Sequence, residues 1–409
     1  MSAPLQGIKV IELAQAVAGP FAGRILADLG ADVIKVEPPA GDLVRDLARV
    51  KYEDFSAMFN HANAGKRSIC LDLKTVIGKV LALSLCRGAD VVLENSTPGA
   101  MQRAGLDYAT LSTVNPGLIY ASVSSYGQTG RHSRYVGADP VGQAISGMVY
   151  MTGERSGTPY FATTGIADTS TASHAAIAIL AALLRRSRTA EGCHLDVSMC
   201  DVMLFMDCCN APVAAALNGT SRLQPSGPHN ATVSPFGIFA CSDGHVLIEA
   251  WGEGEDSLWG RLCAMMGRRE LIGDRRFRTN ALRVEHRSEV TAIVEEWLRP
   301  RSKDEAMAAL YEARVVAAPV LSPDEAVTHP IYQGRETVQQ LDDRSGAVIG
   351  AIAAPYRSTG WDSRLVLAPQ QGADTYAVIQ EWLGLRPDEL DRLAASGAFG
   401  TGDPVDVPG

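Results

Sequence analysis

The sequence lacks several patterns that would each assign a class of protein. Its eight cysteines are scattered and form no CxxC pair, so we expect free thiols in a reducing compartment, with neither a disulfide framework nor a bound metal. No run approaches the ~18 apolar residues of a membrane helix. The first residues lack the basic and apolar regions of a signal peptide. We therefore expect a cytoplasmic protein that contacts no membrane.

Basic charge and nucleotide-binding glycines are also scarce. Lys and Arg number 37 against 46 Asp and Glu, a net charge of −9, which disfavours a nucleic-acid partner because phosphate contacts need a basic face. The loop after the first predicted strand has only Gly19 and Gly23, four residues apart, in place of GxGxxG. The usual cradle for the pyrophosphate of NAD or FAD is therefore missing.

The first forty residues nevertheless read as a βαβ unit. Strands are predicted at 8–13 and 31–37, with a helix at 21–29 that Gly30 ends. A βαβ unit implies a parallel sheet, and further apolar strands follow at 66–74, 90–95, 118–123 and 194–198. Ligands of such sheets collect at the carboxyl ends of the strands, which is where five polar residues are expected: Arg67, Lys74, Asn95, Arg103 and Gln128.

The length of 409 residues predicts two to three domains, and one change of composition suggests where they divide. Residues 219–231 are rich in Ser, Pro, Gly and Asn, which is typical of a linker. We assign 1–218 to the first part of a large domain, ending in a helix over about 201–217. Residues 219–330 form a smaller α+β domain that begins with an Asp243-Gly244 hairpin, and 331–409 return to the large domain, ending in helices at 374–383 and 387–395.

Asp168 stands among small residues just where a long apolar helix begins. Two roles suit a carboxylate there. It can cap the helix by accepting a hydrogen bond from the amide of Ser170 or Thr171, or it can be a nucleophile that a substrate approaches closely. The local pattern by itself favours the cap.

Seven stretches in one order resemble the class III CoA-transferases, also called the CaiB/BaiF family. They are Gly19-Pro20, Leu26–Glu37, Gly65–Lys74, Glu94–Gly99, Leu118–Gly130 with Tyr126-Gly127-Gln128, Asp139–Ala144 and Gly165–Asp168. Gly19–Arg24 and Gly41–Arg45 are similar to the members that use succinyl-CoA and a C4 or C5 dicarboxylate such as mesaconate, itaconate or citramalate.

The resemblance implies an α/β fold: a Rossmann-like large domain built from both chain ends, a smaller α+β domain, and a homodimer of interlocked subunits. It implies CoA transfer from an acyl-CoA to a small carboxylic acid, with CoA thioesters as substrates and no permanently bound cofactor. Asp168 becomes the nucleophile, which passes through an anhydride and an aspartyl-CoA thioester. We expect amide hydrogen bonds to keep its pKa low.

The resemblance also implies site residues. For CoA they are Arg67, Leu71, Lys74, Asn95 and Arg103. For the acid and its surroundings they are Val17, Arg24, Arg45, Gln128, Ala138, Asp139, His229, Gly252 and Gly254, the two glycines belonging to a loop that covers the nucleophile in some members. A dicarboxylate needs an anchor for its second carboxylate, for which Arg24, Arg45 and Arg134 are candidates, with His229 to orient it.

Two other functions remain open. One is an acyl-CoA isomerase, acting by racemisation of a 2-methylacyl-CoA or by intramolecular CoA migration. Racemases of this fold carry a His at the position of Ala138, and without it one of the two bases is missing. The other is a CoA-binding protein without catalytic activity. Formyl-CoA:oxalate transferases have a Gln where this chain has Val17, which disfavours formyl and oxalate substrates.

Overall fold

A computed structural model of the chain describes residues 2–47, 51–52, 55–221, 223–342 and 348–399. Contacts within the chain divide it into two compact units. The larger unit comprises Met1–Ser146, Ala162–Pro212 and Ile331–Gly409, and the smaller comprises Gly147–Phe161 and Val213–Pro330.

Strands and helices alternate along much of the chain and are numbered in chain order. The strands are β1 Lys9–Leu13, β2 Asp32–Glu37, β3 Lys51–Tyr52, β4 Phe55–Ser56, β5 Arg67–Cys70, β6 Val91–Glu94, β7 Ile119–Ser124, β8 Cys193–Ser198, β9 Phe236–Cys241, β10 Gly244–Glu249, β11 Val316–Pro319, β12 Val338–Asp342 and β13 Val348–Ile352. The helices are α1 Ala18–Asp28, α2 Val44–Leu47, α3 Ala57–Asn63, α4 Val76–Arg87, α5 Ala100–Ala104, α6 Tyr108–Val114, α7 Asp139–Ile145, α8 Met148–Met151, α9 Ile166–Thr189, α10 Met199–Met206, α11 Ala211–Ala216, α12 Leu258–Met265, α13 Glu270–Gly273, α14 Asn280–Glu285, α15 Arg287–Leu298, α16 Lys303–Glu312, α17 Pro323–Thr328, α18 Pro330–Gln333, α19 Thr375–Leu383 and α20 Pro387–Ala395.

A six-stranded parallel sheet forms the centre of the larger unit, in the order β5-β2-β1-β6-β7-β8. The predicted parallel sheet is confirmed. Successive strands are added to one side of β1 and then to the other, so the order reverses between β1 and β6. In open sheets of this kind the crevice at the reversal is the usual ligand site.

The βαβ unit at the start of the sheet follows from its sequence. Val10, Ile11 and Ile34 are fully buried, as expected for strands covered on both faces. Helix α1 begins at Ala18, three residues before the predicted start. Pro20 fits in its first turn because the amides there have no partner within the helix. Gly30, at φ 95°, ends the helix as predicted.

The carboxyl end of the chain returns to this sheet, as predicted. The backbone amide of Ser68 donates to Asp374 (2.8 Å) and that of Cys70 to Thr375 Oγ1 (3.0 Å), which joins the start of α19 to β5. Val378 of α19 and Leu390 of α20 are buried in the core on this side of the sheet. The larger unit is therefore built from both ends of the chain.

The predicted continuous helix over 201–217 is wrong. The structure has α10 and α11 with a turn between them. In this turn the Asp207 carboxylate accepts hydrogen bonds from the amides of Cys209, Asn210 and Ala211 at 2.8–3.2 Å. An Asp side chain that binds nearby amides competes with the helical hydrogen bonds, and here it ends α10.

The smaller unit is of α+β type. Strands β9, β10 and β11 form an antiparallel sheet, and β9 and β10 are the predicted hairpin. Helices α12 to α16 belong to the same unit. Side chains of the sheet and of most of these helices form one hydrophobic core, in which Trp259 and Phe277 are fully buried. Arg283 is also fully buried, donating to the carbonyls of Ser234, Phe277 and Gly252 at 2.7–2.9 Å.

Helix α9 is the one described helix that is long and apolar enough to cross a membrane by length and composition. This differs from the expectation that no run approaches that length. Within the larger unit α9 packs against α1, α7, α10 and strands β7 and β8. A central helix of a folded core meets the same length and composition criteria.

Candidate active site

A cavity of about 220 Å³ opens at the carboxyl ends of β1, β6 and β7. It lies at the reversal of strand order, and Asp168 is on its wall. The lining residues are Ala16–Ala18, Asn95–Pro98, Val123–Ser125, Ser133, Tyr135–Ala138, Asp168 and Met199. Four predicted site residues, Val17, Asn95, Ala138 and Asp168, are therefore brought together. The volume is below the roughly 300–1,000 Å³ of sites for drug-sized ligands, so the cavity suits a small acid and not a whole CoA molecule.

Asp168 lies in the first turn of α9 but does not cap it. The capping position is Gly165, at φ 66°, and no side chain there makes a cap bond. The cap comes from α7 instead, where Asp139 Oδ1 accepts from the amides of Ala167 (2.7 Å) and Asp168 (3.1 Å). The predicted cap role of Asp168 is wrong, because α9 begins at Ile166 and Asp168 already lies inside its first turn.

Gln143, one turn further along α7, holds Asp139. Its Nε2 donates to Asp139 Oδ2 (2.5 Å) and to the carbonyl of Ala162 (2.9 Å), and its Oε1 accepts from the Ala162 amide (2.9 Å). Gln143 is fully buried. The sequence motif Asp139-x-x-x-Gln143 thus places two side chains on one face of α7, where they fix the start of the helix that carries Asp168.

Burial, and after it the neighbouring charge of Asp139, raise the pKa of Asp168 to about 6. The expectation that amide hydrogen bonds keep this pKa low is wrong: the pKa is raised, and the amides of Ala167 and Asp168 donate to Asp139 instead. At pH 7 the carboxylate is still mostly ionised. It is also more basic than an ordinary aspartate, which favours nucleophilic attack.

The loop after β1 forms the opposite wall, and four hydrogen bonds hold it. Asn95 accepts from the amide of Gln15 (2.9 Å) and donates to its carbonyl (2.7 Å). Asp42 accepts from the amide of Ala16 (3.1 Å), and Lys35 donates to the carbonyl of Ala14 (2.9 Å). Ala16 has φ 64°, a conformation that costs a non-glycine residue energy and that these contacts maintain.

A buried ion network lies beneath this loop. Lys35 and Lys66 both donate to Glu12 (3.2 and 2.7 Å), and Lys35 also pairs with Asp42 (2.7 Å). All four side chains are fully excluded from solvent. Burial lowers the pKa of Lys66 to about 7, although Glu12 opposes the effect. The paired charges anchor the cavity wall to the sheet.

The residues expected to bind CoA differ in their surroundings. Arg67 pairs with Asp32 (2.5 Å) and Glu381 (2.7 Å), and Leu71 is fully buried in the core. Lys74 and Arg103 are exposed, the first in the loop after β5 and the second on α5. Asn95 is the member of this group that lines the cavity.

Arg24 and Arg45, expected to anchor a carboxylate, are engaged elsewhere within the larger unit. Arg24 is 3% exposed and donates to Asp28 (2.8 Å) and to the carbonyls of His61 and Ile352 (2.7 and 3.0 Å). Arg45 donates to both oxygens of Glu37 (2.6 and 2.7 Å) and to the carbonyl of Pro369 (3.1 Å).

Gln128 lines a second cavity of about 270 Å³, which shares Thr97 and Pro98 with the first. Three members of its wall come from the neighbouring strands β6, β7 and β8: Glu94, Ser122 and His194. Ser122 and His194 are 2.9 Å apart. These three residues were not predicted as site residues from the sequence.

The remaining predicted residues, His229, Gly252 and Gly254, belong to the smaller unit. His229 pairs with Gly237 in a β-bridge and packs on Phe239 at 5.1 Å between ring centroids. Gly252 and Gly254 precede α12 with φ of 92° and 82°, which glycine adopts readily. Their role toward substrate stays a prediction.

The hydroxyl groups of the first cavity were not predicted as site residues from the sequence. Ser124 and Ser125 follow the apolar core of β7, and Ser133 and Tyr135 belong to the next loop. The available signal was positional, because polar residues at the carboxyl end of a buried parallel strand face the ligand crevice.

Fold and cavity together define a Rossmann-like α/β protein with a carboxylate in its ligand crevice. The chain belongs to CoA-transferase family III, whose family model matches residues 5–375. It is 37% identical to the succinate–glutarate CoA-transferase of Agrobacterium fabrum, over 86% of this chain and 88% of that protein. It is 35% identical to the succinyl-CoA:mesaconate CoA-transferase of Haloarcula marismortui, over 83% and 85%. The crystal structure of a CAIB/BAIF family protein from Brucella suis superposes with a TM-score of 0.83 at 34% identity, over 93% of this chain and 100% of that chain.

Proposed function

We propose that the protein transfers CoA from succinyl-CoA, or a similar acyl-CoA, to a C4 or C5 dicarboxylic acid. The observation that carries the proposal is the placement of Asp168, with a raised pKa, on a small cavity at the ligand edge of the sheet. The relatives named above act on succinate, glutarate and mesaconate, which supports this class of acid.

In the proposed mechanism Asp168 attacks the carbonyl carbon of the donor thioester. The C–S bond breaks, CoA leaves as a thiolate, and an aspartyl anhydride remains. The thiolate then attacks the Asp168 carbonyl, which releases the donor acid and forms an aspartyl-CoA thioester. The acceptor carboxylate repeats both steps in reverse order and regenerates the Asp168 carboxylate. No net proton or electron is transferred, so the main demand on the site is to keep water from the anhydride.

CoA would reach Asp168 from the surface that carries Lys74 and Arg103. Both side chains are exposed cations near the carboxyl edge of the sheet, where they suit the phosphates of CoA. Asn95 would hold the loop that the thioester end passes. Arg67 and Leu71 would act through the shape of the β5 region, because one is paired and the other is buried.

We also infer a cytoplasmic homodimer with interlocked subunits that uses CoA thioesters without a permanently bound cofactor. Large apolar side chains on α9 and α10 of the larger unit support self-association. Those that are at least half exposed are Ile177, Leu184, Leu204, Phe205 and Met206. Light scattering should give twice the mass of the chain.

A panel of thioester donors and carboxylate acceptors tests the proposed activity. With succinyl-CoA and glutarate or mesaconate, chromatography should show one new thioester formed for each succinyl-CoA consumed. An Asp168→Asn variant should show none. Hydrolysis to free CoA in place of exchange would contradict the proposal. Product formation without an acceptor acid would indicate intramolecular migration, and deuterium uptake at carbon 2 of a 2-methylacyl-CoA would indicate a racemase.

A further inference from the structure

One side of the Asp168 cavity is lined by hydroxyl groups. Ser124 is the last residue of β7, Ser125 comes directly after it, and Ser133 and Tyr135 follow in the next loop. The Ser124 hydroxyl is buried, and it has no hydrogen-bond partner among the residues that the structure describes. A buried hydroxyl without a partner is energetically costly, which is a reason to look for a ligand that satisfies it.

Neighbouring backbone segments hold Ser124 and Ser125 in place. Ser124 lies beside Ser198 in the parallel pairing of β7 and β8. The carbonyl of Ser125 accepts from the amide of Cys200 (3.1 Å). The backbone at Gly137 packs so closely that a Cβ there would come within 2.4 Å of the Ser125 side chain. Both hydroxyls therefore stand on a rigid strand end, which is the kind of support that a specific binding site needs.

Few charged side chains near the cavity are available to bind the second carboxylate of a dicarboxylic acid. Among the described lining residues of the cavity, Asp168 has the one charged side chain. Arg24 and Arg45, the arginines expected to hold a second carboxylate, are occupied by Asp28 and Glu37. Arg134 is exposed on the loop between Ser133 and Tyr135 and is the competing anchor.

We propose that the hydroxyls of Ser124 and Ser125 bind the carboxyl group of the acid that does not react with Asp168. This rests on the proposed transfer of CoA to dicarboxylic acids. Each hydroxyl donates a hydrogen bond to a carboxylate oxygen, and Ser133 and Tyr135 complete the polar wall. Because a hydroxyl both donates and accepts, the same pair binds a terminal amide, which a guanidinium cannot do equally well.

The test compares acids that differ at one end. Wild type, Ser124→Ala, Ser125→Ala and Arg134→Gln are assayed with glutarate, with its monoamide and with the monocarboxylate of equal chain length. Ser112→Ala, at a half-buried serine of α6 that does not line the cavity, is the control. Loss of a hydrogen bond to a charged group should raise the KM for glutarate about 10- to 100-fold in the Ser124 and Ser125 variants. The monocarboxylate should react as it does with wild type, and the monoamide should remain an acceptor for wild type.

Three outcomes would overturn the inference. Equal loss of kcat for the monocarboxylate and for glutarate in Ser124→Ala would assign the hydroxyl to the reacting centre. A rise in KM confined to Arg134→Gln would assign the anchor to the arginine. Unchanged discrimination in both serine variants would remove the hydroxyls from recognition. In each case CoA exchange by the wild type would leave the proposed function standing, whereas failure of the wild type with every acid would refute that function separately.

Discussion

Replacing Asp139 with asparagine removes the charge next to Asp168 and keeps the shape of the side chain. Oδ1 of the new residue can still accept from the amides of Ala167 and Asp168. Its NH₂ group, however, would face the NH₂ group of Gln143, and both groups are donors. The Gln143 side-chain amide cannot flip, because flipping it would lose both of its hydrogen bonds to Ala162. The variant should therefore lose one charge-assisted hydrogen bond, or about 1.5–3 kcal/mol of stability.

The larger consequence concerns pH. The pKa of Asp168 rises from 3.8 to about 6, burial being the first cause and Asp139 the second. Removing the charge of Asp139 should therefore lower the pKa of Asp168, while burial keeps it above the ordinary value for an aspartate. In the proposed mechanism Asp168 must be ionised to attack, so we expect activity to be present above its pKa and to be lost as the pH falls through about 6. In Asp139→Asn this loss should occur at lower pH than in the wild type.

The assay is the pH dependence of kcat/KM for CoA transfer between pH 4.5 and 8, with the fold checked by circular dichroism at each pH. Asp201→Asn is the matched control, since Asp201 is an exposed carboxylate in the first turn of α10 and should leave the profile unchanged. An acid limb that stays at the wild-type position in a folded Asp139→Asn enzyme would refute the proposed coupling between the two carboxylates.

Two further substitutions test the cavity wall. Gly23→Ala places a Cβ 1.9 Å from Glu12 Oε2, which disturbs the buried ion pairs of Glu12. The free energy of unfolding should fall by about 3–5 kcal/mol, measured by thermal unfolding. Gly88→Ala has its nearest neighbour at 3.8 Å and should change stability by less than about 1 kcal/mol. Asn95→Ala removes both bonds to Gln15 and should raise the KM for the acyl-CoA about tenfold with a smaller effect on kcat; an unchanged KM would mean that the loop keeps its position without them.

Local patterns were enough to predict much of the sheet. The apolar runs at 8–13 and 118–123 match β1 and β7 to within one residue at each end, because buried parallel strands are continuously apolar. Helices α19 and α20 were predicted equally closely. The break between α10 and α11 was not, since Asp207 ends an apolar helix by binding three amides, and a polar residue inside an apolar run does not reveal such bonds.

The site was less predictable because its contacts join distant parts of the chain. Nothing near Asp168 in the sequence indicates that Asp139 caps its helix and raises its pKa. Arg24 and Arg45 looked available as anchors, and only the folded chain shows their pairing with Asp28 and Glu37. Motif resemblance supplied the prediction that Asp168 is the nucleophile, whereas the tertiary structure was needed to describe the surroundings of that residue.

The central claim is that Asp168 becomes covalently attached to CoA during transfer, and mass spectrometry tests it directly. The protein is incubated with succinyl-CoA, treated with hydroxylamine and digested. We predict a hydroxamate at Asp168 that requires the thioester and is absent from Asp168→Asn. An unmodified Asp168 in an enzyme that is actively exchanging CoA would contradict the account.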